Sequence, residues 1–131
     1  MKSENELKAD FVKHVRCHRT LVFCPNDRMT AGIPDVFIAE DGRDFWLELK
    51  VSTRYGHVDI RGRKLQRARC QQLAALTHNC WYLIYEEINK LKRTVIVHPM
   101  DLDEQGNFSN ELWNCLGHNH EAVCTDFLRL R

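Results

Sequence analysis

The sequence carries almost no net charge: 19 lysines and arginines against 18 aspartates and glutamates leave a formal charge of +1. Whole-molecule charge therefore does not advertise a nucleic-acid partner, which has to be argued from local clustering instead. Missing too is any apolar run near the roughly 20 residues that a membrane-spanning helix needs. The first residues are too polar for the apolar core of a signal peptide. No membrane partner is expected, and the expected compartment is the cytosol, of a bacterium or of a phage-infected host. The six cysteines, at 17, 24, 70, 80, 115 and 124, contain no Cys-x-x-Cys pair. Cys17 with Cys24, or His118 and His120 with Cys124, offer zinc-ligand types, but the spacing of a structural zinc site is absent. Without a secretory signal the thiols are expected to be reduced.

What the chain does have is ordinary globular composition over 131 residues, 44% hydrophobic and 28% charged, enough for a single domain spanning 1–131. Its organising stretch runs over residues 32–51, where two β-forming runs, 36–39 and 45–51, flank Asp41-Gly42. Asp-Gly strongly favours a two-residue type I′ turn, so a β-hairpin is predicted. That turn sets the register: Glu40 pairs with Arg43, and every opposed pair sums to 83 in residue number. Asp35 then faces Glu48 with Cβ atoms ~4.5–5.5 Å apart, where like charges repel. Lys50 shares their face because strand side chains alternate, while Val36, Ile38, Phe45, Leu47 and Leu49 form the apolar other face.

Two carboxylates and an amine thus converge beside a packed sheet. Mg²⁺ is commonly held by one or two carboxylates, with waters and phosphate oxygens completing its shell. Such an ion would relieve the repulsion, and a neighbouring lysine could position water or offset phosphate charge, which points to metal-assisted hydrolysis. The plainer alternative is a surface hairpin with a Glu-Lys pair at its edge.

Pro34-Asp35, twelve intervening residues, then Glu48-Leu49-Lys50 resemble the signature of the PD-(D/E)xK nuclease superfamily. More narrowly, the opening Gly32-Ile33-Pro34-Asp35 and a glutamine-bearing helix downstream resemble the virus-type replication-repair nuclease (VRR-NUC) domain, related to Holliday-junction resolvases. The resemblance covers about residues 3–98. It implies a restriction-endonuclease-like α/β core, a mixed β-sheet flanked by helices in the order αβββαββ; residues 99–131 lie beyond it as a C-terminal extension that covers the core or builds a dimer. It also implies an Mg²⁺- or Mn²⁺-dependent endodeoxyribonuclease. Asp35, Glu48, the Leu49 carbonyl and Glu4 would hold the metal, and Lys50 and Gln66 would order the nucleophile and the scissile phosphate. Small members of the family further suggest structure-specific cutting of branched DNA, four-way junctions included, by a homodimer. A duplex- or end-directed nuclease stays open. So does a non-catalytic DNA-binding module on the same fold, and a zinc-stabilised interaction protein is the third class.

The remaining segments fit around this hairpin. Ser3 and Glu6 read as a capping box opening a helix whose core stripe is Leu7, Phe11 and Val15. Glu4 falls on the same stripe, which is odd for packing alone and matches the family's first-helix glutamate; Glu6 is the fallback. A strand is predicted at 20–24, and Pro25-Asn26-Asp27 opens a polar loop in which Arg28 meets phosphate or solvent. Residues 52–62 read as a substrate-contacting loop. A second helix is predicted over 63–78, packed through Leu65, Ala68, Leu73, Ala75 and Leu76, with Arg63, Lys64 and Arg67 outward. With Arg54, Arg61 and Arg69 these make a basic cluster for DNA phosphates. Gln66 borders the apolar stripe and matches the family's glutamine, with Gln71 and Gln72 as competitors. Strands are expected at 81–85 and 94–98, ended by Pro99. A short helix anchored by Trp113 is expected at 111–116, and helix or strand at 122–130.

Overall fold

A computed structural model describes residues 3–15, 20–24, 33–40, 42–61 and 63–116. Helix α1 (Glu4–Val15) begins where the Ser3 hydroxyl accepts the Glu6 N–H at 3.2 Å, one half of the expected capping box. Glu4 and Glu6 in its first turn and Lys13 and His14 in its last complement the helix dipole. A 12-residue helix is marginal by itself, so packing has to hold it. Burial of Leu7, Phe11 and Val15 supplies about 5–9 kcal/mol before entropy is counted.

Among the described residues six strands follow: β1 (Thr20–Phe23), β2 (Val36–Glu40), β3 (Arg43–Ser52), β4 (Cys80–Ile88), β5 (Leu91–Val97) and β6 (Trp113–Leu116). They form one mixed sheet in the order β1-β2-β3-β4-β5-β6. Only the β3–β4 pair in it is parallel, and that pair needs the crossover supplied by helix α2 (Lys64–Thr77). The hairpin register is the predicted one, with Val36 opposite Leu47, Ile38 opposite Phe45 and Glu40 opposite Arg43. Gly42 carries the positive φ, +76°, that the turn requires, while Asp41 lies outside the described residues. Asn89 and Lys90, both at positive φ, close the β4–β5 hairpin in the same manner.

Alternation along the strands divides the core into two layers. Val36, Ile38, Phe45, Leu47 and Leu49 pack with α1 on one face, joined by Trp81, Leu83 and Tyr85. The other face of β4, with Cys80, Tyr82 and Ile84, packs against Cys70 and Ala74 of α2 and against Val58, Ile60, Leu102 and Phe108 from the loops. β4 lies between the two layers, and its residues from Cys80 to Glu86 are all buried. No helix among the described residues is long and apolar enough to cross a membrane.

The structure corrects two sequence expectations. Helix α2 buries Cys70 and Ala74 and half-buries Gln66, Arg67, Gln71 and Leu73, whereas Leu65 and Leu76 are 49% and 73% exposed and Ala68 and Ala75 also face solvent. The buried stripe is thus rotated from the predicted one, because small residues let α2 approach the sheet and Arg67 is satisfied inside. Its Nε and Nη2 donate to the Leu102 carbonyl at 3.0 and 2.9 Å. The second correction is at 113–116, where Trp113 pairs with Ile96 as a strand instead of anchoring a helix. The open β5 edge offers backbone partners that a local helical pattern does not reveal. Predicted structure at 122–130, and His118, His120, Cys124, Cys17 and Arg28, lie outside the described residues.

Candidate active site

The ladder between β2 and β3 ends at Val36 opposite Leu47, because the residue before Asp35 is Pro34, which has no N–H to extend it. The same register sets Leu49 opposite Pro34. The Leu49 N–H donates instead to Asp35 Oδ2 at 3.1 Å, so the Asp35 carboxylate takes over where the ladder stops. In an extended strand the carbonyl of a residue faces the same side as its N–H, so the Leu49 carbonyl also faces the Asp35 side.

Glu48 and Lys50 project from the opposite face of β3 to the α1 layer, and both are almost wholly buried, at 0% and 3% exposed. Lys50 Nζ lies 3.9 Å from Glu48 Oε2. Neither oxygen of Glu48 has a hydrogen-bond donor among the described residues. Burial pushes the Glu48 carboxyl well above the ordinary glutamate range, and Asp35 adds to this, accepting a hydrogen bond from the neutral carboxyl and repelling the ionised one. Lys50 opposes the shift. An acid this perturbed, in a cluster of charged groups, is a functional-site candidate on physical grounds.

From α2, Gln66 reaches inward, and its Oε1 is buried without a hydrogen-bond partner among the described residues. One helical turn on, Cys70 lies close enough to Glu48 and Lys50 to exchange electrostatic effects with both. Cys80 beside it and burial together raise the Cys70 thiol, so it stays protonated. Tyr82, next to Glu48 in the parallel register, has its hydroxyl raised by burial and, to a lesser extent, by Cys70 and Glu48. Cys70 and Tyr82 therefore stay neutral beside the charged groups, with Cys80 against Cys70, and sequence reasoning missed all three. Their signal would have been the β3–β4 pairing, a contact between segments separated by a helix, which no local pattern encodes.

The chain matches no protein-family model and no curated protein. Geometry therefore carries the reading, and it brings Asp35, Glu48 and Lys50 together with Gln66 turned toward the interior. Glu4 is exposed on α1, whose buried stripe packs on the other face of β3. Among the described residues no three His, Cys, Asp or Glu side chains form a metal-ligating group, so Glu4 is not placed as a third carboxylate.

Of the predicted basic residues, Arg67 is occupied by Leu102, and Arg61 pairs with Asp59 at 2.9 Å in an exposed bridge. Arg69 Nη1 donates to Gln72 Oε1 at 3.1 Å. Arg54, Arg63 and Lys64 are exposed. A cleft of about 510 Å³ opens directly after Lys50, with Ser52, Arg54, His57 and Arg61 among its lining.

Proposed function

We propose that this chain is a divalent-metal-dependent deoxyribonuclease of the PD-(D/E)xK type, with a restriction-endonuclease-like arrangement of its core. The observation that carries the reading is the Glu48 carboxylate, fully buried with no hydrogen-bond donor to either oxygen among the described residues and set against Asp35 and Lys50. Burying an unsatisfied carboxylate costs several kcal/mol, and a like-charged neighbour adds to that cost. A cation removes both penalties. Two carboxylates and the Leu49 carbonyl suit Mg²⁺ or Mn²⁺, which need only one or two protein carboxylates and keep waters for the rest. When bound, the ion supplies Lewis-acid stabilisation of charge on the phosphate and lowers the pKa of water.

The chain's own groups do the remainder. Lys50, nearly dry and held beside Glu48, places a positive charge where phosphate charge develops and where water can be oriented. Gln66, whose Oε1 is buried on α2, is assigned to the same site by the resemblance. Asp35 is held by the Leu49 N–H, so one of its oxygens is fixed and the other is left for ligation. Preference for branched DNA, four-way junctions among it, and action as a homodimer belong to the same proposal through the resemblance.

The test incubates purified protein with a labelled four-way junction, flap, duplex and single strand, in Mg²⁺, in Mn²⁺ and in EDTA, beside Glu48→Gln and Lys50→Ala. Metal-dependent cutting that both variants lack by at least about 10²-fold is expected. Binding without cleavage in either metal would sink the enzyme reading and favour the binding module.

A further inference from the structure

The loop that leaves β3 is built before any ligand arrives. Ser52, buried at the end of the strand, accepts the Arg54 N–H at 3.1 Å, and its hydroxyl lies within donating reach of the carbonyls of Arg54, at 2.8 Å, and His57. Gly56 N–H donates at 2.7 Å to Glu86, itself fully buried and tied at 2.6 Å to Arg93. The Val58 N–H meets the Gly106 carbonyl at 2.7 Å, the Phe108 N–H meets the Gly56 carbonyl at 2.9 Å, and His57 Nδ1 meets Asn107 Oδ1 at 2.9 Å. The wall of the cleft is thereby fixed on both sides.

Its charge is uneven. Asp59, the acid in the lining, is consumed by Arg61, whose Nε and Nη2 take both carboxylate oxygens at 3.1 and 2.9 Å. Arg54 is exposed, and among the described residues its guanidinium has no hydrogen bond or ion pair. Thr53 and Gln105 add neutral donors. A fixed concave wall with one uncommitted guanidinium suits an oxyanion that arrives with its own geometry, such as a phosphodiester. Ser52 follows Lys50 by two residues on the same face of β3, a separation of about 7 Å.

We infer that this cleft takes a backbone phosphate of the bound nucleic-acid strand, next along from the phosphate at Lys50, with Arg54 as its principal contact and Arg61 held back by Asp59. The identity of the ligand as a nucleic acid rests on the nuclease reading above. Two consequences have opposite signs. Removing Arg54 weakens binding, and neutralising Asp59 releases Arg61 and tightens it.

The experiment measures fluorescence anisotropy of a labelled duplex and a labelled four-way junction in EDTA across a KCl series. It compares wild type, Arg54→Gln, Asp59→Asn, Glu48→Gln and, as a control on the opposite face, Lys13→Gln. Melting curves verify folding. Arg54→Gln is expected to raise Kd about three- to tenfold and to flatten the slope of log K against log salt by about one. Asp59→Asn is expected to lower Kd and steepen the slope, while Lys13→Gln changes neither. An Arg54→Gln protein with wild-type affinity and slope overturns the cleft assignment even where Glu48→Gln still abolishes cleavage. Weakening by Arg54→Gln, with tightening by Asp59→Asn, supports it even where no substrate is cut, an outcome that would remove only the catalytic reading. Wild-type protein that binds neither oligonucleotide overturns both.

Discussion

Replacing Glu48 with Gln should make the metal-free protein more stable at neutral pH while destroying its proposed activity. With all three groups ionised the trio holds two negative charges and one positive, with Glu48 and Lys50 buried and Asp35 half-buried. At an effective dielectric of about 20, Lys50 at 3.9 Å attracts Glu48 by about 4 kcal/mol. Asp35 opposes this by repelling the charge and by accepting a hydrogen bond from the neutral acid, each a larger effect than that of Lys50. Asp35 thus outweighs Lys50, and the desolvation of Glu48 is left uncompensated, in keeping with burial as the leading cause of its raised pKa. Gln mimics the protonated acid and leaves Asp35 and Lys50 balanced. Because the folded-state pKa is raised, the folded chain holds the Glu48 proton more tightly. Wild-type stability therefore falls as pH rises from the ordinary glutamate value through the raised one, and stays down above it. The advantage of Glu48→Gln should be near zero below the ordinary range. It should grow by at most about 1.4 kcal/mol per pH unit and level off at about 1–4 kcal/mol. Urea unfolding in EDTA from pH 4 to pH 9 reads this directly. A difference that does not depend on pH, or a variant less stable than wild type throughout, would refute the account of a buried, uncompensated carboxylate.

Other substitutions probe the frame around the site. Gln66→Met removes a buried oxygen that has no hydrogen-bond partner among the described residues, so thermal unfolding should show stability unchanged or raised, while cleavage falls at least about tenfold. For Gly106→Ala, the added Cβ would lie 1.9 Å from the Val58 carbonyl oxygen at a φ of +89°, so calorimetry should record a loss of at least about 2 kcal/mol and a weakened loop 53–61. Leu65→Lys and Leu76→Lys should each change stability by no more than about 0.5 kcal/mol in denaturant unfolding, since both side chains face water; a loss above about 2 kcal/mol would restore the helix face first expected from the sequence.

Much of this protein was legible in its sequence where the signal is local. Asp41-Gly42 dictated the hairpin and, through a period of two, placed Asp35, Glu48 and Lys50 within reach and Val36, Ile38, Phe45, Leu47 and Leu49 on the buried face. Leu7, Phe11 and Val15 announced the side of α1 that packs. Elsewhere local pattern misled, because partners distant in sequence decide the outcome. Arg67 turned inward once the Leu102 carbonyl was there to receive it, and Trp113 joined a strand once β5 offered an open edge. Tyr82 came beside Glu48 only through a parallel pairing across α2, and Glu86 became an anchor for the loop after β3 only through Arg93 and the Gly56 N–H. The sequence by itself determined which groups carry charge and which strand face they share, since turn type and alternation act over a few bonds. Tertiary structure alone decided that Glu48 is dry and, among the described residues, without a hydrogen-bond donor, because burial belongs to the assembled layers and not to any segment of them.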